Sequence, residues 1–279
     1  MPEAVTIAGQ IQKELKGKRI SSGVRGSSPH KFAFTGKHSN DEFAAIVREK
    51  TIGVARANGS LILVDLDPGY VLSLGCGGEH ILCHTSEKTL PQKHQLLLSF
   101  QDDTHLTVTV SGWGEVRLLE QSQVASHPHL KNNQISPLDD EFTFAYFRSL
   151  LNELPENKRV SAKYFIVSEP GILGVGNGCL QDILYRAKIH PKRQMTSLSN
   201  EEGEKLYQAI KRTLKEIVKL GGRDSERDLY NKKGGYQRIL HSKVVGYPCR
   251  ECGTPIKKIQ YLGGASYFCP SCQAEQSLI

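Results

Sequence analysis

Between Ala4 and Leu15 the apolar positions fall at 4, 7, 8, 11 and 15, the spacing of one helical face, and the run stops at Lys16-Gly17-Lys18. The texture then changes. From about Ile52 to Val110 the apolar runs are short and β-branched: Leu61–Leu66, Tyr70–Leu74, Gln95–Phe100 and Leu106–Val110. Asn58-Gly59, Asp67-Pro68-Gly69, Gly77-Gly78 and Asp102-Asp103 separate them, which predicts an antiparallel sandwich or barrel. Residues 121–138 are polar, carry Pro128 and Pro137, and read as a linker. Beyond Asp139 the period is helical. Phe142, Ala145, Tyr146 and Leu150 share one face, and Leu180, Ile183, Leu184 and Ala187 share another. A third helix opens on Ser199 and Glu202, an S-x-x-E capping box, and runs through Leu206, Ile210, Leu214 and Ile217 to Gly221-Gly222. The expected architecture is α+β and multidomain: an N-terminal helix with a β-sandwich (1–120), the linker (121–138), a helical domain (139–243) and a C-terminal hairpin (244–279).

Composition narrows the setting. A chain of 279 residues suits two modest domains. No apolar run approaches the ~20 residues of a membrane span, and the start lacks a signal-peptide pattern. Of seven cysteines, four fall in a paired pattern near the end, and the odd remainder of scattered thiols, Cys76, Cys83 and Cys179, fits a reducing cytoplasm. The formal charge of +7 permits a polyanionic partner without requiring one.

The densest chemistry lies near the end. Cys249/Cys252 and Cys269/Cys272 are two Cys-x-x-Cys knuckles with sixteen residues between them. Each pair can grip a cation from one side, and a hairpin over Ile256–Tyr261 and Ser266–Phe268, turned at Gly263-Gly264, closes a tetrahedral site suited to structural Zn²⁺. Disulfides are the alternative, but they do not need this spacing. A second motif is Gly171-Ile172-Leu173-Gly174-Val175-Gly176-Asn177. Glycines at 174 and 176 allow a close backbone approach, and Asn177 then opens a helix whose first N–H groups face outward, an anion site. A tight packing turn is the plainer reading. Arg186, Lys188, His190, Lys192 and Arg193 follow, a basic stretch of the kind that neutralises a nucleic-acid backbone.

The run GILGVGNGCLQDILYRAKIHPKR, followed by a long helix, Gly-Gly and a four-cysteine hairpin, resembles the formamidopyrimidine/endonuclease VIII family of DNA glycosylases. GGRDSERDLY, GGYQRIL and YLGGASYFCPSCQ place it nearest a divergent bacterial, endonuclease VIII-like branch. The resemblance covers most of the chain and is strongest from about Ser136 to Gln273. It implies a β-sandwich, a helix-two-turn-helix domain and a zinc hairpin, with duplex DNA carrying damaged bases or abasic sites as partner. It implies phosphate binding by Asn177 beside Gly176, and Lys93-His94 is similar to the family's KH-x-x pattern for DNA contact, where an ordinary solvated strand edge reads equally well; Arg186 and Lys192 are backbone-contact candidates from the basic stretch. It also implies a cytoplasmic monomer. Chemistry in that family uses an N-terminal proline amine as nucleophile and a neighbouring glutamate as proton shuttle, which Pro2 and Glu3 would supply.

Four departures bear on that chemistry. Family members usually begin P-E-x-P-E. Counting back from Lys16-Gly17-Lys18 places Pro2-Glu3 on the second pair, three residues late, and three extended residues span roughly 10 Å. Ser60 stands where the family has a lysine after a β-turn, and Gly264 where the hairpin usually offers an arginine; Lys37, Lys257 and Lys258 are other cations available for that role. The loops that wedge into the base stack read Leu74-Gly75-Cys76-Gly77-Gly78 and Thr109-Val110-Ser111-Gly112-Trp113-Gly114, with Trp113 a candidate intercalator or an ordinary strand-end residue. Two expectations stand: a base-excision glycosylase with abasic-site lyase activity, or a lesion-binding member with lost or altered catalysis.

Overall fold

The computed structural model describes residues 2–26, 38–75, 77–112, 114–128, 130, 134–155, 158–168 and 171–275. The chain forms two compact units, one of residues 1–133 with 218–236, the other of 134–217 with 237–279. Cys76, Trp113 and Lys37, named above, lie outside the described residues.

In the first unit, α1 (Pro2–Glu14) buries Ala4, Ile7, Ala8 and Ile11, and Leu15 just beyond it, the predicted face. The strands are β1 (Ile20–Arg25), β2 (Thr51–Asn58), β3 (Leu61–Asp67), β4 (Tyr70–Gly75), β5 (Glu79–His84), β6 (Leu96–Phe100), β7 (His105–Val110) and β8 (Val116–Glu120), with α2 (Asn40–Val47) between β1 and β2. They make two four-stranded antiparallel sheets, ordered β2-β3-β4-β8 and β1-β6-β7-β5. One core joins them: Ile62, Val64, Leu72 and Leu74 from the first sheet meet Leu96, Leu98, Leu106 and Val108 from the second. That is the predicted sandwich. α2 is additional; Ser39 and Glu42 close a capping box on it, and Phe43 and Val47 bury its inner face. The supposed linker contains a 3₁₀ turn at Gln121–Ser126 and a buried His127 whose Nε2 sits 2.9 Å from Glu115.

Residues 218–236 lie inside the helical region of the sequence but belong to the β unit. Leu229 is fully buried in the sandwich core, and its carbonyl accepts from the Cys83 N–H at 2.9 Å. The Gln10 side chain bridges Asp228 and the Leu229 N–H, both at 2.9 Å, and Tyr230 donates to Glu14 at 2.7 Å. Gly234 packs so closely on the Gly222 backbone that no side chain fits there.

The second unit holds α3 (Phe144–Asn152), α4 (Ala162–Val167), α5 (Asn177–Ala187), α6 (Asn200–Lys219) and the hairpin β9 (Lys257–Tyr261) with β10 (Gly264–Phe268). The last turn of α6 overlaps the segment that returns to the first unit. α5 and α6 bury the predicted faces, and the Ser199 box forms as read, with bonds of 2.9 and 3.2 Å. α3 differs. It starts at Phe144 with Thr143 as cap, so Ala145 points to solvent, and the buried side chains are Phe142, Phe147 and Leu150.

Candidate nucleic-acid interface

One end of the sandwich gathers several residues singled out by the sequence. β2 ends and β3 begins there, so the Asn58-Gly59-Ser60 turn projects from it. β4 ends and β8 begins at the same end, and so do β5 and β6 start and β7 finish. Exposed Lys93 and half-buried His94 lead into β6, with the His94 ring 3.3 Å from the Pro91 carbonyl. Buried Gln95 ties this loop to β7, accepting from the Val110 N–H at 2.6 Å. α1 runs antiparallel to β2, since Gln12 bonds Ala55 and Gly17 bonds Ile52, and so its N-terminus heads toward the same end.

Pro2 and Glu3 form the first turn of α1, and both are buried. The Glu3 carboxylate accepts from the Arg223 backbone N–H at 3.2 Å and from its Nε at 2.7 Å. Burial alone would raise its pKa; the Arg223 guanidinium and its hydrogen bonds more than offset that and hold it below the ordinary carboxylate value. Sequence reading missed Arg223, because a partner 220 residues away leaves no local signal.

In the second unit the Gly-Val-Gly-Asn turn is built as read. Gly174 takes φ +77°, Gly176 caps α5 in extended backbone, and Asn177 opens the helix exposed to solvent. Helix geometry leaves its first N–H groups without intrahelical acceptors. Asn177 is also oriented. Its Nδ2 donates to the Ala265 carbonyl and its Oδ1 accepts from Gln181, each at 3.2 Å. Gln181 in turn accepts from the Tyr267 N–H at 3.0 Å, so the start of α5 is stitched to β10.

Gly264 sits beside it. A Cβ there would lie 3.6 Å from both the Asn177 amide nitrogen and the Lys163 Nζ, which is ordinary contact. Lys163 is a second residue the sequence did not reveal. It is 2 % exposed, and its ammonium donates to the carbonyls of Tyr261 (2.6 Å) and Gly264 (3.1 Å) and to the Ser266 hydroxyl (3.2 Å). Burial lowers its pKa.

Most of the basic stretch is engaged in ion pairs with the protein's own carboxylates. Arg186 pairs with Glu216 at 2.7 Å and bonds Thr213, tying α5 to α6. Arg193 holds Glu202 and the Ser197 carbonyl, and Lys188 pairs with Glu251. His190 is buried edge-on against Phe268, and that burial lowers its pKa. Lys192 is exposed, its ammonium 4.0 Å from Glu275 and 5.8 Å over the Tyr261 ring.

The Sγ atoms of Cys249, Cys252, Cys269 and Cys272 lie within 4.8 Å of one another. Separations of 3.9 Å (Cys249–Cys272) and 3.4 Å (Cys252–Cys269) bracket the ~3.8 Å edge of a tetrahedron with 2.3 Å metal–sulfur bonds. Backbone N–H groups of Glu251 and Cys272 point at Cys249 and Cys269 sulfurs, and the Tyr185 hydroxyl is 3.1 Å from Cys249 Sγ. Donors turned toward sulfur suit thiolate ligands, so this is a metal site.

The model of the formamidopyrimidine-DNA glycosylase H2TH domain matches residues 134–228. The formamidopyrimidine-DNA glycosylase of Listeria innocua is 30 % identical over 281 residues, covering 98 % of both chains, and that of Cytobacillus firmus is 29 % identical at 98 % coverage of each. The Lactococcus lactis Fpg, solved with DNA containing an abasic site, shares the fold at a TM-score of 0.84, 23 % identity and 99 % coverage of each chain. With a relative this similar over nearly its whole length, and with the α5 turn and four-thiol hairpin built as they are, the chain belongs to the formamidopyrimidine-DNA glycosylase family.

Proposed function

We propose that this chain is a base-excision DNA glycosylase with abasic-site lyase activity, acting on oxidised bases in duplex DNA. The observation that carries it is the start of α5, where exposed Asn177 is held by β10 with the helix N-terminus behind it. That arrangement offers a phosphate oriented N–H donors and a favourable dipole. Lys93 and Lys192 add charge for the backbone, His94 adds a ring that can hydrogen-bond, and Gly176 lets it come close. The four thiolates hold Zn²⁺ in a closed site that keeps the hairpin folded and takes no part in the reaction. The setting is the bacterial cytoplasm, and among the described residues no helix is long and apolar enough to cross a membrane.

In this reading Pro2, once Met1 is removed, offers a secondary amine whose lone pair attacks C1′ of the damaged nucleotide. The base departs with the bonding electrons and takes up a proton; the proline nitrogen loses its proton, the C1′–O4′ bond opens with O4′ protonated, and the ring-opened sugar remains as an iminium on the protein. Loss of a C2′ proton then expels the 3′ phosphate, with Glu3 as the proton carrier. A second reading, lesion binding with lost or altered catalysis, draws on Pro2 and Glu3 being buried and Glu3 being held by Arg223. Ser60 and Gly264 at the two cationic positions of the family favour it further.

Borohydride trapping on a duplex with an abasic site, followed by mapping of the cross-link, separates the readings. An adduct on Pro2 supports the enzyme as written, and one elsewhere relocates the amine. No adduct, with tight abasic-site binding, leaves the second reading; no preference for that duplex overturns both.

A further inference from the structure

Two of the connections between the sheets, from β4 to β5 and from β7 to β8, meet at one end of the sandwich. Gly75 N–H donates to the Glu115 carbonyl and Ser111 N–H to that of Gly78, each at 2.8 Å. Between them sits a single carboxylate. Oε2 of Glu79 accepts from the N–H groups of Gly77 (2.7 Å) and Gly78 (3.0 Å), and Oε1 accepts from that of Glu115. Side chains at Gly75 or Gly114 would collide with Oε1. Both glycines are therefore required by the carboxylate, one from each crossover. Three N–H dipoles take up its charge, which matters on a surface meant to meet phosphates.

We infer that Glu79 is a positioning residue for lesion recognition: it clamps the two crossovers into one rigid edge, beside Lys93, His94 and the Asn58–Ser60 turn, that presents the β unit to the duplex. This rests on the DNA reading above. Glutamine at 79 keeps the shape but turns an NH₂ toward backbone N–H groups, so the clamp opens on one side. Aspartate keeps the charge but falls a methylene short of spanning both crossovers.

The test has two arms. In the free protein, hydrogen exchange of the Gly77, Gly78 and Glu115 amides should rise in E79Q and E79D, with the melting temperature of the parent nearly retained. On DNA, both variants should bind an abasic-site duplex about tenfold more weakly, as the loss of one charge-assisted interaction implies. Their affinity for undamaged duplex should stay within about twofold, since phosphate contacts carry that binding. Unchanged exchange, an unchanged abasic preference, or an equal loss on both duplexes would overturn the inference. A parent protein that binds both duplexes alike would sink the DNA reading instead, while the exchange arm still decides the clamp.

Discussion

Glu3 and Arg223 show how much one pair can decide. Both side chains are about 5 % exposed, and removing one partner of a buried ion pair costs about 3–5 kcal/mol, because the other charge is left without compensation. Glu3→Gln should therefore lower the melting temperature markedly at pH 7. The pH dependence follows from the direction of the shift. A carboxylate held below its ordinary value of about 4.5 contributes its full stability above that pH and loses it as pH falls through the lower folded value. The gap between parent and Glu3→Gln should be widest at neutral pH and close below about pH 4.5. Thermal melts across pH 3 to 8 measure this; a gap that widens in acid would contradict the assignment. None of it was legible in the sequence. Pro2-Glu3 read as catalytic machinery from a motif, and only the fold brings Arg223 against it.

At the scale of elements, local signals exposed some features and were passed over at others. The four-cysteine hairpin and the Gly-Val-Gly-Asn turn depend on residues close in sequence, so spacing alone exposed both. α2 carried a readable S-x-x-E cap at Ser39, whereas β1, with the weakly apolar sequence ISSGVR, gave no comparable signal. Lys163 and Arg186 could not be judged, since their partners lie on other elements. Lys163 now yields a prediction. Methionine there fills the volume but leaves the Tyr261 and Gly264 carbonyls unpaired at the hairpin tip. Lys163→Met should weaken abasic-site binding several-fold with metal content unchanged. Gly264 yields the opposite one. Its backbone is not left-handed and a Cβ meets only ordinary contacts, so Gly264→Arg fits beside Asn177. A charge-assisted bond to phosphate is worth about 1.5–3 kcal/mol, so affinity for an abasic duplex should rise tenfold or more. Titration by fluorescence anisotropy checks both. Chelating the metal should abolish the gain, because Gly264 is positioned by a hairpin whose base the four thiols close.

For the whole molecule, the chain passes between its two units three times, near residues 133, 217 and 236. The sequence placed everything from 139 to 243 in one helical domain, because helical periodicity through α6 gives no hint that the next turn returns to the β unit. Yet Val218–Tyr236 completes that unit: Arg223 neutralises Glu3, Leu229 fills the core, and its carbonyl satisfies the Cys83 N–H on edge strand β5. A fragment of residues 1–133 should consequently be incomplete in three ways at once: an unpaired buried carboxylate, a cavity the size of a leucine, and an uncovered sheet edge. Each of the first two is worth about 2–5 kcal/mol, a large part of the 5–15 kcal/mol that stabilises a typical domain. The fragment should unfold at much lower urea than the same fragment joined to 218–236 by a flexible Gly/Ser linker. Closing such a loop costs little more as the linker lengthens, so linker length should hardly matter. Equal midpoints for the two proteins would mean that the returning segment rests on the sandwich without completing it.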